Sequence, residues 1–405
     1  MKAALALLLL APCPAASAEP LRPDQALELA RASHPSLRAA SADVDAARAR
    51  IVQAGLPPAN PVLSGELARH TESGDPHLDH GVAIGQELEV GGQRGLRVAA
   101  ARRDLERAQD LLAEQLRTLD AGVRRAFAGL VAAGSRRDLA AEALAISQRI
   151  RAIAERRARA GDASELEASL ARIDAMRAER ALAAAEEERS RAATALASAI
   201  GAEAEAQLEA VPQEPGPGPA LEEPALVAQA LAVRPDLASA RAERDQLSDQ
   251  ARAVHREALV PNPVVRAFYR RELGNETIAG GEVSVPIPIW NRAQGTEAEL
   301  LAVARRADAE ADRLAREIPR EVHRALVRRD AAERAWAEYR DQAMPAMARA
   351  QALLERAAAS GYLGLSELLT QRDRLLAVPA AAIAARLELA ESEADLIDAV
   401  GGALP

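Results

Sequence analysis

From Glu282 to Ile289 the chain alternates, with Val283, Val285, Ile287 and Ile289 at every second position. A period of two predicts a strand with one apolar face. Pro286 and Pro288 cannot donate to a ladder, which argues against an ordinary central strand. Trp290 follows, an aromatic suited to a membrane–water boundary. Asn291-Arg292-Ala293-Gln294-Gly295 then turns the chain into a long helix. Gly81–Val90 has the same pattern in Val82, Ile84, Leu88 and Val90, and Gly91-Gly92-Gln93-Arg94-Gly95 makes its turn. Each strand has a weaker partner before it, predicting two hairpins. Val62 to about His70 is joined by a polar loop, Thr71–Asp79. Val264–Arg271 is joined by a loop around Gly274-Asn275.

Elsewhere the period is helical. Pro23–Gly55 reads as a helix interrupted at His34-Pro35, and Gly55-Leu56-Pro57-Pro58-Ala59-Asn60-Pro61 stops it. Leu96–Ala160 contains no proline, and Leu112, Leu116, Leu119, Val123, Ala126 and Leu130 follow the steps of an a/d seam. Such a helix is roughly 95 Å long and needs partner helices along its length. Gly161-Asp162 breaks it, and Ser164 caps a returning helix that ends at Ile200 before Gly201. After the Pro/Gly-rich stretch Val211–Pro219, helices are predicted over Glu222–Ala258, Ala293–Ala359 and Ser366–Val400.

The plan is written twice. Pro35 and Pro235, Gly95 and Gly295, Gly161 and Gly361, and Gly201 and Gly401 are each 200 residues apart. Val82 and Val283 differ by 201; Asn60-Pro61 and Asn262-Pro263, and Ser164-Glu165-Leu166 and Ser366-Glu367-Leu368, differ by 202. This is a tandem duplication of a helix–strand–strand–helix–helix unit. The expected domains are a signal peptide over 1–18, a first repeat over 19–210, a linker over 211–221 and a second repeat over 222–405. The fold class is mainly α with a small β part. Pro319, Pro345 and Pro379 fall inside helices of the second copy only and should kink or interrupt them.

Composition narrows the class. Only 2% of the 405 residues are aromatic, against 49% hydrophobic, which suits long helices rather than a compact core. A net charge of −9 disfavours nucleic acid as a partner. Lys2, the short apolar run Ala3–Ala11 and Ala16-Ser17-Ala18 have the form of an export signal, with a mature start at Glu19. Cys13 is the only cysteine, and Pro12 before it is wrong for a lipidation signal. Four strands per chain cannot close a barrel and leave two open edges, so oligomerisation is expected, with three copies giving twelve strands.

The two-copy plan, together with GQELEVGGQRGLR (85–97) and VSVPIPIWNRAQG (283–295), resembles the TolC family of outer-membrane efflux channels, in its heavy-metal CzcC-like and CusC-like branch. The resemblance spans nearly all of the mature chain. It implies a homotrimer in the outer membrane of a Gram-negative cell, with an open 12-stranded β-barrel set in lipid and a helical barrel in the periplasm. It implies two further partners, a periplasmic adaptor (membrane fusion) protein and an inner-membrane pump of the resistance-nodulation-division type. The implied task is passive conduction of substrate, metal cations by the branch, with organic solutes or drugs as the other cargo.

The same resemblance places a pore gate at Glu367, with Tyr362 and Arg372 beside it. Three copies of Glu367 would ring the pore with negative charge and favour cations; equally, Glu367 is an acid in the first turn of a helix, where it suits the dipole. Thr370 stands where the family has a second acid. Gly161, Asp162, Gly361 and Tyr362 mark the tips that would touch the adaptor, or plain helix–helix turns. Gly91, Gly92, Arg94, Asn291, Arg292 and Gly295 form the strand-to-helix turns. His70, His77, Asp79 and His80 cluster in the first hairpin loop; they are a weak metal candidate beside the simpler reading of a polar loop. His34, His255 and His323 are scattered. No G-x-S-x-G, H-E-x-x-H or phosphate-loop motif is present, so neither an enzyme nor a cofactor is expected. A periplasmic coiled-coil scaffold or adaptor remains the other reading of the heptads.

Overall fold

The computed structural model describes residues 21–72, 75–203, 208–212, 221–272, 276–359 and 364–404; side chains of 70–77 and 358–359 are outside the description. The expected signal peptide, Cys13, Gly361, Tyr362 and most of the linker therefore lie outside the described residues. The first copy runs α1 (Pro23–Ser33), α2 (Pro35–Ala54), β1 (Val62–Glu72), β2 (Asp75–Glu87), α3 (Gln93–Ala160) and α4 (Glu165–Ile200). The second runs α5 (Glu223–Val233), α6 (Pro235–Leu259), β3 (Val264–Glu272), β4 (Glu276–Ser284), α7 (Gln294–Glu338), a π-helical turn (Tyr339–Ala343), α8 (Met344–Ala359) and α9 (Leu365–Val400). Pro23, Pro35 and Pro235 each stand at the first position of a helix, where a missing N–H costs nothing. No helix among the described residues is long and apolar enough to cross a membrane.

Two compact units form, and both repeats contribute to each. One holds α1, α3 from Leu119 onward, α4, and Leu326–Leu396. Its core is built from Leu27, Val123, Leu196, Ile200 and Leu396 with many alanines. Alanine lets helix backbones approach closely, which is why so few aromatics are needed. Gly201 ends α4 at φ 72°, its N–H on the Ala197 carbonyl, a left-handed cap that favours glycine.

The other unit holds residues 35–118, 221–325 and 397–405, including the whole sheet. Val44 and Ala47 of α2 pack on Ala108, Leu105 and Leu112 of α3. Arg234, almost fully buried between α5 and α6, binds Asp236 at 2.6 Å, Glu321, and the Ala399 carbonyl at 3.3 Å. Burial opposes its charge, but the two carboxylates outweigh burial and push its pKa up. Arg117 repeats the arrangement on α3, binding Asp398 at 2.5 Å and Glu114 at 2.6 Å.

Several boundaries differ from expectation. Within the polar segment expected as a loop, Thr71, Glu72 and Asp75–Asp79 are strand: the β1–β2 ladder continues to Glu72↔Asp75, because backbone pairing carries past polar side chains. β2 stops at Glu87 instead of Val90; the Leu88 N–H leaves the ladder for the Pro263 carbonyl, 2.9 Å away. β4 spans Glu276–Ser284, not Glu282–Ile289, since Pro286 and Pro288 have no N–H to extend it. Helices α3 and α7 begin at Gln93 and Gln294, so Arg94, Gly95 and Gly295 sit in first helical turns instead of in the connections. Ser366 lies inside α9, which starts at Leu365, and is not its cap. Pro319 and Pro379 lie within uninterrupted helices; only Pro345 adjoins a break, the π-helical turn just before it.

Candidate functional site

Three places on the chain can serve a conduit: the ribbon, the ends of the helical hairpins, and the turns that join strand to helix. The ribbon is one antiparallel sheet in the order β1-β2-β3-β4, so the two hairpins of the duplication join through β2 and β3. Register and alternation sort its faces. Leu63, Leu67, Leu78, Val82, Ile84, Val265, Tyr269 and Val283 share one face, and every one is exposed in the single chain. Ser64, Glu66, Asp79, Arg266, Arg270, Glu272 and Glu282 share the other. There Arg266 donates to Ser64 Oγ at 3.1 Å and lies 3.9 Å from Glu282. The Arg270 guanidinium stands 4.9 Å over the Phe268 ring, and Phe268 lies across Gly280, where a Cβ would come within 2.7 Å of it. So large an exposed apolar face needs an apolar surrounding. Strands of this length, at about 3.3 Å per residue and tilted, match the thickness of a bilayer core. The outer edges of β1 and β4 have no pairing partner within the described residues.

The hairpin of α3 and α4 turns at Gly161, whose φ of 83° favours glycine. The Asp162 N–H returns to the Arg157 carbonyl at 2.9 Å, and Ser164 accepts from the Glu167 N–H at 3.2 Å as the cap of α4. Glu367 is exposed in the first turn of α9. Arg372, one turn further on, is half-buried. It grips both carboxylate oxygens of Asp174 at 2.8 Å and donates to Ser147 Oγ at 2.8 Å. It thereby ties α9 of the second copy to α4 and α3 of the first. Burial would raise the Asp174 pKa, but hydrogen bonds from Arg372 and Ser147 hold it below the ordinary carboxylate value. The Arg372 pKa is raised: burial works against the charge, and Asp174 and Asp373 more than compensate.

The histidine cluster is described only in part. His70 and His77 are register partners, with side chains outside the described residues. Asp79 and His80 are consecutive on β2 and face opposite sides. No group of three or more metal-ligating side chains occurs among the described residues. His255 and His323 each meet a carboxylate, Glu297 at 3.0 Å and Glu223 at 3.1 Å.

The turn after β2 is a polar hub. Gln93 is almost fully buried; its Oε1 accepts from the Gly91 N–H at 2.9 Å, and its Nε2 donates to the Val260 carbonyl at 2.7 Å and Asn262 Oδ1 at 3.1 Å. Asn262 in turn donates to Glu87 at 2.8 Å, and Arg256 donates to the Gly91 carbonyl at 2.8 Å. Asp174, Ser147, Gln93 and Asn262 were not singled out as site residues from sequence. Gln93 and Gln294 are 201 residues apart, which was a usable signal. Asp174 carried none, since one acid among many on charged helices does not announce its partner.

A family model described as outer membrane efflux protein matches residues 26–202. The cobalt-zinc-cadmium resistance protein CzcC of Cupriavidus metallidurans is 32% identical over 306 residues, covering 74% of this chain and 70% of that protein. Among solved structures, the outer membrane protein VceC of Vibrio cholerae has a TM-score of 0.74 at 18% identity, covering 94% of this chain and 96% of its own. CusC, whose structures concern transmembrane channel formation, has a TM-score of 0.73 at 18% identity, over 94% and 92%. These structural likenesses show the fold.

Proposed function

The chain belongs to the outer membrane efflux protein family, and from that premise we propose that it is the outer-membrane channel of a tripartite export system for heavy-metal cations. The observation that carries the reading is the four-stranded ribbon, predominantly apolar on one exposed face with Arg69, His80 and Arg271 toward its hairpin ends, richer in charge on the other face, and open at both edges among the described residues. Three chains pool twelve strands into a closed barrel, the apolar face meeting lipid and the charged face lining water. The cargo class rests on the CzcC relative, named for cobalt, zinc and cadmium resistance. A conduit takes what a pump delivers, so a periplasmic adaptor and an inner-membrane pump of the resistance-nodulation-division type complete the system.

The signal peptide over 1–18 sends the chain out of the cytoplasm, and the repeats over 19–210 and 222–405, joined by the linker 211–221, build the channel. The gate is at the turns of the helical hairpins. Arg372, Asp174 and Ser147 hold the hairpins of one chain together, Glu367 supplies an anionic ring from three chains, and Tyr362 stands beside it. Gly161, Asp162, Gly361 and Tyr362 present the adaptor-contacting tips.

Two measurements test this. A Gram-negative strain lacking the protein becomes sensitive to zinc, cobalt or cadmium and is rescued by the wild-type chain; sensitivity to organic toxicants alone would reassign the cargo. Reconstituted trimers conduct cations in preference to anions, and Glu367→Gln weakens that preference; an unchanged selectivity removes Glu367 from the pore.

A further inference from the structure

The hub at Gln93 is present twice in sequence but closed only once within the chain. Gln294 stands 201 residues after Gln93, also at the first position of its helix, and Asn60 stands 202 before Asn262. Half of the arrangement is already in place. Gln294 Oε1 accepts from the Arg292 N–H at 2.8 Å, as Gln93 Oε1 accepts from the Gly91 N–H at 2.9 Å. The other half differs. The Gln93 amide is buried on Asn262 and the Val260 carbonyl, whereas Gln294 is exposed and its amide rests on the nearby Trp290 carbonyl at 3.2 Å. Asn262 is buried and Asn60 is exposed. The flanking strands show the same inequality: β2 is paired with β3, while the outer edges of β4 and β1 are open.

We propose that Asn60 and Gln294 form the seam between neighbouring copies of this chain, Gln294 Nε2 of one copy donating to Asn60 Oδ1 and the Pro58 carbonyl of the next. This rests on the oligomeric channel reading. The warrant is the duplication itself. The contact that joins copy one to copy two inside the chain is the template for the contact that joins copy two to copy one of the next chain. The template also says which bonds are not repeated. Glu87, which accepts from Asn262, corresponds to Pro288, and Arg256, which donates to the Gly91 carbonyl, corresponds to Ala54. The seam between chains is therefore held by fewer side-chain hydrogen bonds than the junction within one, and it is the weaker of the two.

The test is crosslinking of the full-length chain in outer membranes. Cys13 is the only native cysteine and lies in the expected signal peptide, so introduced thiols read cleanly. With Asn60→Cys and Gln294→Cys combined, a short bismaleimide is expected to give covalent dimers and trimers, while either single variant stays monomeric on denaturing gels. Gln93→Cys with Asn262→Cys is the reference pair and bridges within one chain at monomer mass. Intact trimers in which the 60/294 pair fails to crosslink overturn the seam, as does bridging of that pair inside a single chain. Chains that never form trimers overturn the channel reading and the seam with it. A second readout is the trimer dissociation temperature of Asn60→Ala, Gln294→Ala and the double variant. A shared bond predicts that the double variant loses no more than the worse single one, and full additivity overturns it.

Discussion

Arg172 and Arg372 are each the eighth residue of their helix, α4 and α9, and do different things. Arg172 lies 3.6 Å from Glu155 of its own hairpin, half exposed. Arg372 is half-buried with its guanidinium mostly covered, and reaches into the other copy, binding Asp174 and Ser147. The helices that lead to them differ too. α3 runs unbroken from Gln93 to Ala160, whereas the second copy passes through a π-helical turn at Tyr339–Ala343 before Pro345. A π-turn beside a proline absorbs the missing hydrogen bond at the cost of local regularity, and such turns concentrate at functional positions. The duplication thus kept a frame in the first copy and made the second copy breakable at one point and fastened at another.

The largest test of that contrast is Arg372→Ala. It leaves a partly buried carboxylate without its partner, a loss of about 3 kcal/mol for a charged group whose hydrogen bonds are removed. We expect higher conductance of reconstituted trimers and a lower melting temperature; unchanged conductance would make the tie purely structural. Next is the exchange of the break between copies. Ala145→Pro, at the position equivalent to Pro345, should cost about 3 kcal/mol in α3, read by thermal unfolding. The reciprocal Pro345→Ala should slow amide exchange across Tyr339–Ala343.

Acid should act on the same tie. The depressed pKa of Asp174 stabilises the folded pair fully above its ordinary value of 3.8, and the contribution is lost as pH falls below 3.8 through the depressed value. Conductance should therefore be flat on this account from neutrality down to about pH 5 and rise only below about pH 4. In Arg372→Ala the step should vanish. The smallest effect belongs to Arg172→Ala, about 0–1 kcal/mol for an exposed pair, with conductance unchanged. If Arg172→Ala opened the channel as far as Arg372→Ala, the asymmetry would have no functional meaning.

Most helices and the duplication were legible, because proline, glycine and apolar spacing act locally and repeat at a fixed offset. What escaped was decided by pairing across the chain. Thr71–Asp79 reads as a loop, yet β1 and β2 hold one ladder out to Glu72↔Asp75. Val285–Ile289 alternated like a strand but carried two prolines, and ladder donors outweighed pattern. Of the candidate gate residues, Glu367 lies exposed in the first turn of α9, while the partner that holds Arg372 is Asp174, 198 residues away. Asp79 and His80 are a weak metal candidate beside the simpler polar-loop reading, and a strand sends these consecutive residues to opposite sides.

The middle of the ribbon sets the timetable of assembly. Ile84 faces Ala267, so β2 must wait for some 180 further residues to be synthesised and exported before its partner exists. The early hairpin spends that interval with apolar side chains and an open edge in water, the state most prone to sticking to other chains. On the outer-membrane channel reading, assembly is expected to need something that shelters the first hairpin until the second arrives.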